Sequence, residues 1–457
     1  MSIVNECCSD AVIRLVRMTI SIYVMSVSVS AQAVPAFARQ TGTECAACHV
    51  GALGPQLTPF GIAFKLGGYT LSDGKAGKIP LSAMVMSGFT HVNTAADEPD
   101  SGLKANNNLN IEQTSLFLAG RWTDHVGSLL QVTRDGVANT NALDNVDVRY
   151  ANGVKIQGKD LLLGVSLNNN PGVQDPFNTL PAWGFPYITP PQGTGAWAGT
   201  GASTLIDGGL AQTVLGASAY GLYDQHWYAD LGSYRSWSSS MLVHLGEGRP
   251  ADTDASKLGG NVYWRLAYMQ DAQSYAYSLG LVGLQASLSE RADATLPSNH
   301  FSDIGIDGSY RLMGSGTDVM TLNGLVVRER SSLDHDVAVG AASAAHVGLT
   351  SSRLNLSYYW RQTYGATVGY FATTGSSDAL RYAGNVNNKP DTKGWVMQTD
   401  WTPFGKEDSW MAPYANLRLG VQYWRYDKFN GGADNVDGNG RRARDNNTWF
   451  LFAWLAI

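Results

Sequence analysis

From Ile79 to the last residue, apolar and polar side chains alternate almost one for one, and this period of two limits the fold more than anything else in the chain. Successive Cβ atoms of a strand point to opposite faces, so a period of two separates an apolar face from a polar one. In 353–361, Leu354, Leu356, Tyr358 and Trp360 share one face, and Arg353, Asn355, Ser357 and Arg361 the other. Around 415–423, Leu417, Leu419, Val421 and Tyr423 alternate with Asn416, Arg418, Gly420 and Gln422. Val262, Trp264, Leu266 and Tyr268 alternate with Asn261 and Arg265, as Val146, Val148 and Tyr150 do with Asn145, Asp147 and Arg149. Such strands suit lipid outside and water inside a closed barrel. Strand windows fall at 79–92, 112–122, 125–135, 143–155, 159–168, 211–222, 226–236, 258–270, 273–288, 299–313, 316–331, 349–362, 364–375, 391–403, 413–428 and 445–457. That predicts sixteen strands, an even number as single-chain bacterial barrels require.

A soluble sandwich or propeller also alternates, but the chain lacks the repeat of about 40–50 residues that builds propeller blades. Composition agrees with the barrel: only 15% of residues are charged, while glycine (51 residues) and aromatics are abundant. The aromatic content excludes a disordered chain. A net charge of -6 leaves no basic face for nucleic acid. Beyond the N-terminus no apolar run is long enough for a membrane-spanning helix. Short links such as Thr123-Asp124 and Thr363 alternate with long ones. The longest, 169–209, is rich in Pro, Gly and Trp and is expected to fold into the mouth or lumen. The last strand, Trp449 to Ile457, is aromatic and amphipathic, although it ends in Ile rather than the Phe common in such barrels.

The N-terminus carries the pattern of an export signal. Arg14 and Arg17 flank an apolar stretch from Met18 to Ser30, and Ala31-Gln32-Ala33 supplies small residues for cleavage. Residues 1–33 are therefore expected to be removed, with Met18 an alternative start. The pair Cys7 and Cys8 would go with them, leaving Cys45 and Cys48 in the mature chain. Two cysteines make no disulfide framework for an exported protein.

Cys45-Ala46-Ala47-Cys48-His49 is a C-x-x-C-H sequence, the pattern of c-type haem attachment. Two thiols at this spacing can each add to a vinyl group of one porphyrin, and the adjoining His49 is then held where its imidazole reaches the iron. A zinc site would need more ligands, a thioredoxin-like pair would need a βαβ setting, and a plain disulfide would have no use for His49. For the opposite face of the iron, Met84, Met86 and His91 are the candidates nearest in sequence, with an open or water-bound iron as the alternative. Methionine or a second histidine would be the normal ligand, and methionine raises the reduction potential. A haem segment of residues 34–78 is too small to cover both haem faces by itself, so the barrel, residues 79–457, is expected to enclose it.

These two parts together resemble the outer-membrane cytochrome–porin fusions, among them the iron(II)-oxidising cytochrome-porins. The match runs from Phe37-Ala38-Arg39-Gln40-Thr41-Gly42 through C-x-x-C-H to Pro55-Gln56-Leu57-Thr58-Pro59-Phe60-Gly61, then Phe64-Lys65 and Gly68-Tyr69. Where the family usually has FGR, this chain has Phe60-Gly61-Ile62. The resemblance implies an all-β, sixteen-stranded transmembrane barrel with a monohaem c-type segment inside it, in the outer membrane of a Gram-negative bacterium. It further implies one covalent haem c, an extracellular donor with Fe(II) foremost, and a periplasmic c-type cytochrome or other acceptor. Arg149, Arg265, Arg311, Arg353 and Arg418, with Asp147, Asp307 and Asp400, are expected to face the lumen, where they would tune the haem potential or pair with its propionates. The activity would be electron-transfer oxidoreduction, without paired catalytic carboxylates or a nucleophile. A transport porin with a haem-bearing plug and a haem-based redox sensor are the alternatives.

Overall fold

The alternating segments form sixteen antiparallel strands, each joined to the next in sequence, and β1 closes the sheet by pairing with β16. In this computed structural model, which describes residues 35–95, 102–191, 194–197, 201–245, 257–272, 274–291, 293–314, 317–406 and 408–457, the strands are β1 (Leu81–Val92), β2 (Asn108–Arg121), β3 (Val126–Asp135), β4 (Asn141–Ile156), β5 (Lys159–Asn168), β6 (Val214–Tyr223), β7 (Trp227–Ser236), β8 (Lys257–Asp271), β9 (Tyr275–Ser289), β10 (Asn299–Met313), β11 (Val319–Ser332), β12 (His346–Trp360), β13 (Tyr364–Gly375), β14 (Thr392–Trp401), β15 (Asn416–Lys428) and β16 (Thr448–Ala456). Every expected window holds one strand. The expected export signal, 1–33, lies outside the described residues.

Closure leaves no sheet edge, so each strand is hydrogen-bonded to a neighbour on both sides. The outward positions are apolar: Leu109, Ile111, Leu163, Leu279, Ile304, Leu322 and Leu354 all stand exposed. On a soluble protein that surface would drive aggregation; around a barrel it is the lipid belt. Aromatic rings border it near the β8–β9 and β12–β13 turns, where Trp227 meets Tyr268 at 4.8 Å and Trp360 meets Tyr364 at 5.4 Å. Near the opposite end Tyr370 lies 5.0 Å from Trp395 and Tyr423 4.6 Å from Trp449. No described helix is long and apolar enough to cross a membrane.

The two ends differ. Connections 122–125, 157–158, 224–226, 272–274, 314–318, 361–363 and 402–415 lie at one end, most of them tight turns. The longer 93–107, 169–213, 237–256, 376–391 and 429–447 lie at the other. Short connections mark the periplasmic end and long ones the extracellular end. β1 starts and β16 finishes at the periplasmic end.

The lumen is filled from both sides. The long β5–β6 connection folds inward, with Val173, Gln174, Asp175, Leu180 and Leu205 buried. Its turn at Leu205 and Ile206 donates backbone N–H groups to Glu329 (2.6 Å) and Asp303 (2.7 Å) on the wall, and Asp207 pairs with Arg353 at 2.8 Å. From the periplasmic end, α1 (Pro35–Thr41), α2 (Cys45–Cys48) and α3 (Pro59–Leu66) precede β1 and pack against the inner wall.

Candidate cofactor site

The segment carrying the cysteines folds by short-range devices that its sequence explains. α2 is a single turn, so Cys45 and Cys48 share one helix face, and the His49 N–H closes the turn on the Cys45 carbonyl at 2.9 Å. The chain then doubles back. His49 bridges Leu57, the Val50 N–H donates to the Gln56 carbonyl and the Thr58 N–H to the Cys48 carbonyl, both at 2.9 Å. The Thr58 hydroxyl donates to the Ala47 carbonyl at 2.5 Å and accepts from the Gly61 N–H at 3.1 Å, capping α3, whose first residue is Pro59. Gly61 is required here because a Cβ would collide with the Cys48 carbonyl oxygen. Phe37, Phe64 and Tyr69 stack in a trio, with centroids 5.0, 5.3 and 5.8 Å apart, tying α1 to α3. The stretch Pro55 to Gly61 is thus the buckle of the C-x-x-C-H turn.

The barrel wall grips this segment through its inward polar side chains. Arg418 Nη2 donates to the Gly51 carbonyl at 3.0 Å, and the Gly51 N–H donates to Gln362 Oε1 at 2.6 Å. Asn416 Nδ2 donates to the Ala52 carbonyl at 2.7 Å, Arg311 donates to the Leu57 carbonyl, and the Tyr69 hydroxyl donates to Asp147 at 2.6 Å. Gly51, at φ 72°, lies against Tyr359 so closely that no side chain would fit. At the periplasmic rim the Gly405 carbonyl accepts from the Ala46 N–H at 3.1 Å.

The charges expected in the lumen are there, buried except for the half-buried Arg353, and all but Arg311 stand in ion pairs. Arg149 pairs with Asp147 at 2.8 Å, Arg265 with Asp307 at 2.6 Å, and Arg418 with Asp400 at 3.3 Å. Buried charges keep their charge only when paired in this way. Most of them are committed to holding the inner segments, and Arg311, which has no ion pair, does so through the Leu57 carbonyl.

A cavity of about 550 Å³ opens beside α2, lined by Ala46, Ala47, Thr58, Pro59 and Phe60 from the inner segment and by Arg311, Met313, Val319, Gln362 and Lys406 from the periplasmic end of the barrel. Cys45 and Cys48 carry free thiols, both half-buried. Burial pushes Cys45 up to about 11 and Cys48 up to about 12, so both stay protonated at neutral pH. Burial drives His49 down to about 4, opposed by the nearby Gly54 backbone, and its Nδ1 is buried without a hydrogen-bond partner. A neutral imidazole is the form that ligates a metal. Among the described residues no three of His, Cys, Asp and Glu converge on a metal-sized point. A metal held here would therefore have to bring most of its own ligands, as a porphyrin iron does. Two thiols one turn apart and a neutral imidazole beside them are the groups that would hold a covalently attached haem, while the cavity next to α2 is lined by none of the three and carries Glu44, Asp271 and Asp318 as well as Arg311 and Lys406.

The distal candidates lie elsewhere. Met84 and Met86 point into the lumen but are packed among Phe117, Phe450, Phe452 and Trp454. His91 is on the outward parity of β1 near its extracellular end, with Nδ1 2.7 Å from Asn107 Oδ1. None of the three lines the cavity. Met313 and Lys406 do, and sequence proximity could not have found them, since strand pairing alone brings them beside residues 46–60.

No family model matches the chain, and no curated protein matches it. Among solved structures it is similar to an anion-selective porin from Comamonas acidovorans (14% identity, 82% of this chain and 98% of that one, TM-score 0.45). It is similar also to OmpT, an outer membrane protein of Vibrio cholerae (9%, 82% and 96%, 0.41), and to the outer membrane channel DcaP of Acinetobacter baumannii (10%, 82% and 96%, 0.45). The closed sixteen-stranded wall with its lipid-facing belt has the build of a barrel of the Gram-negative outer membrane.

Proposed function

We propose that this barrel carries one haem c on Cys45 and Cys48, with His49 as proximal ligand, and passes electrons from an extracellular donor, Fe(II) first among them, to a periplasmic c-type cytochrome. The observation that carries the reading is the C-x-x-C-H turn gripped by the barrel wall beside a cavity at the periplasmic end. The haem, when bound, supplies one-electron exchange. One electron leaves the donor, Fe(II) becoming Fe(III), and one arrives at the acceptor. The protein's own part is to fix the thiols and the imidazole, to offer Arg311 and Lys406 to the propionates, and to limit water by closing the lumen above them. A periplasmic cytochrome would dock at the short-turn rim, where the cavity opens.

The donor's side is farther off. Rings follow one another through the extracellular half: Trp197 to Phe429 at 5.3 Å, Phe429 to Tyr426 at 5.5 Å, Tyr426 to Phe371 at 5.6 Å. Phe185 packs in the same cluster and lies 5.6 Å from Tyr187, whose hydroxyl donates to Gln56 of the haem segment at 3.0 Å. This column supports transfer across a closed lumen. In stopped-flow spectroscopy, anaerobic Fe(II) mixed with oxidised protein in outer-membrane vesicles should bring up the reduced α-band quickly. If only dithionite does so, iron is not the donor. Cys45→Ala cells that oxidise the donor normally would end the electron-transfer reading.

The porin-like barrel also favours a transport channel in which the inner segment is a plug. Planar-bilayer conductance that appears on removing residues 35–78, with no haem reduction by any external donor in the intact protein, would establish that reading instead.

A further inference from the structure

We infer that Asp303 and Glu329 share one proton and together latch the inward β5–β6 connection to the barrel wall, releasing it when alkaline pH removes that proton. The latch belongs to the barrel and its inner connection and does not depend on the haem reading.

Asp303 on β10 and Glu329 on β11 stand directly opposite each other in the strand register, and both turn inward, 1% and 4% exposed. Each accepts one backbone amide of the inward turn: the Ile206 N–H donates to Asp303 Oδ2 at 2.7 Å and the Leu205 N–H to Glu329 Oε2 at 2.6 Å. The Ser331 hydroxyl donates to Glu329 Oε1 at 2.9 Å. Asp303 Oδ1 is buried and receives no N–H or hydroxyl donor. The two carboxyl groups hydrogen-bond each other, which two anions cannot do, so one of them carries a proton.

The surroundings offer little to balance a second negative charge. On β9 the residue opposite Asp303 is Leu284, and on β12 the residue opposite Glu329 is Leu349, both buried. Asp207, from the inner connection, faces the pair with a further negative charge. Arg353 is already engaged by Asp207 at 2.8 Å. Tyr382, from the 376–391 connection, faces Glu329 with the exposed Arg381 beside it. Two carboxyl groups sharing a buried site keep one proton between them past the pH at which a lone carboxyl loses it. Once it leaves, ionised acceptors hold the two amides more tightly, but a second buried charge without a counter-ion costs more than that gain. The strands cannot part, because their ladders run on both sides. The connection can, and its departure lets water reach both carboxylates. The latch is therefore closed at low pH and lost as pH rises.

The test is amide hydrogen exchange of residues 201–213 in the full-length protein in vesicles, from about pH 6 to about pH 10, corrected for the intrinsic pH dependence of exchange. The heat-modifiable barrel band checks folding. Wild-type protection should be high at the acid end and fall by about tenfold or more at the alkaline end, as for a local opening. Asp303→Asn keeps an oxygen for the Ile206 amide and a permanent donor for Glu329, so its protection should persist across the range. Glu329→Gln should behave in the same way, and either folded variant suffices. Wild-type protection that does not change with pH would overturn the latch. So would a loss of protection in either folded variant at the same pH as in the wild type.

Discussion

Gly61 shows how much a single missing side chain decides. It touches the Cys48 carbonyl where a Cβ has no room, so Gly61→Ala must push α3 away from the cysteine turn. Overpacking of this kind costs about 1–3 kcal/mol. The expected outcome is faster amide hydrogen exchange across residues 45–66 and a lower yield of covalent haem, with the barrel's heat-modifiable band unchanged. Thr58→Ala removes both the α3 cap and the bond to Ala47 and should loosen the same amides by about 1 kcal/mol. If exchange in Gly61→Ala matched the wild type, the buckle described for 55–61 would be wrong.

At the scale of elements, the strands act as clamps as well as wall. β15 contributes Asn416 and Arg418, and both reach backbone carbonyls of the loop after the C-x-x-C-H turn. Arg418→Ala would remove that clamp and leave Asp400 buried without its partner, a loss of about 3–5 kcal/mol for a broken buried pair. The temperature at which the barrel band shifts on a gel should fall. Arg418→Met combined with Asp400→Leu should recover much of that temperature, because no charge is then stranded, yet the loop at Gly51 should still exchange faster. A double variant as unstable as Arg418→Ala would mean that the pair itself, not the stranded carboxylate, sets the cost.

For the whole molecule, the lipid belt and the asymmetry of the ends make two expectations. Leu354 stands outward in β12, and arginine at mid-membrane on the lipid face costs about 2–4 kcal/mol. Leu354→Arg should fold less completely into bilayers at a given urea concentration. Orientation is tested by epitopes: one inserted within 290–298 should label intact cells, and one within 402–415 should label only permeabilised cells. The reverse pattern would put the cavity on the outside and make it a docking place for the donor.

All sixteen strands were legible in the chain, because a wall with lipid on one side and water on the other imposes its period of two on every residue. β10 and β13 fall on their expected windows to the residue, and others such as β2 begin earlier than their hydrophobicity suggests, since hydrogen bonds to a neighbour extend a strand past its apolar part. The C-x-x-C-H pattern of Cys45, Cys48 and His49 also stands out in the chain, since a pattern of that kind is local and depends on spacing. What surrounds that turn was not legible. Met313 and Lys406 meet residues 46–60 only because closure of β1 on β16 brings a wall around the N-terminal segment, and no period or spacing in a sequence records which distant side chains a closed sheet will set face to face.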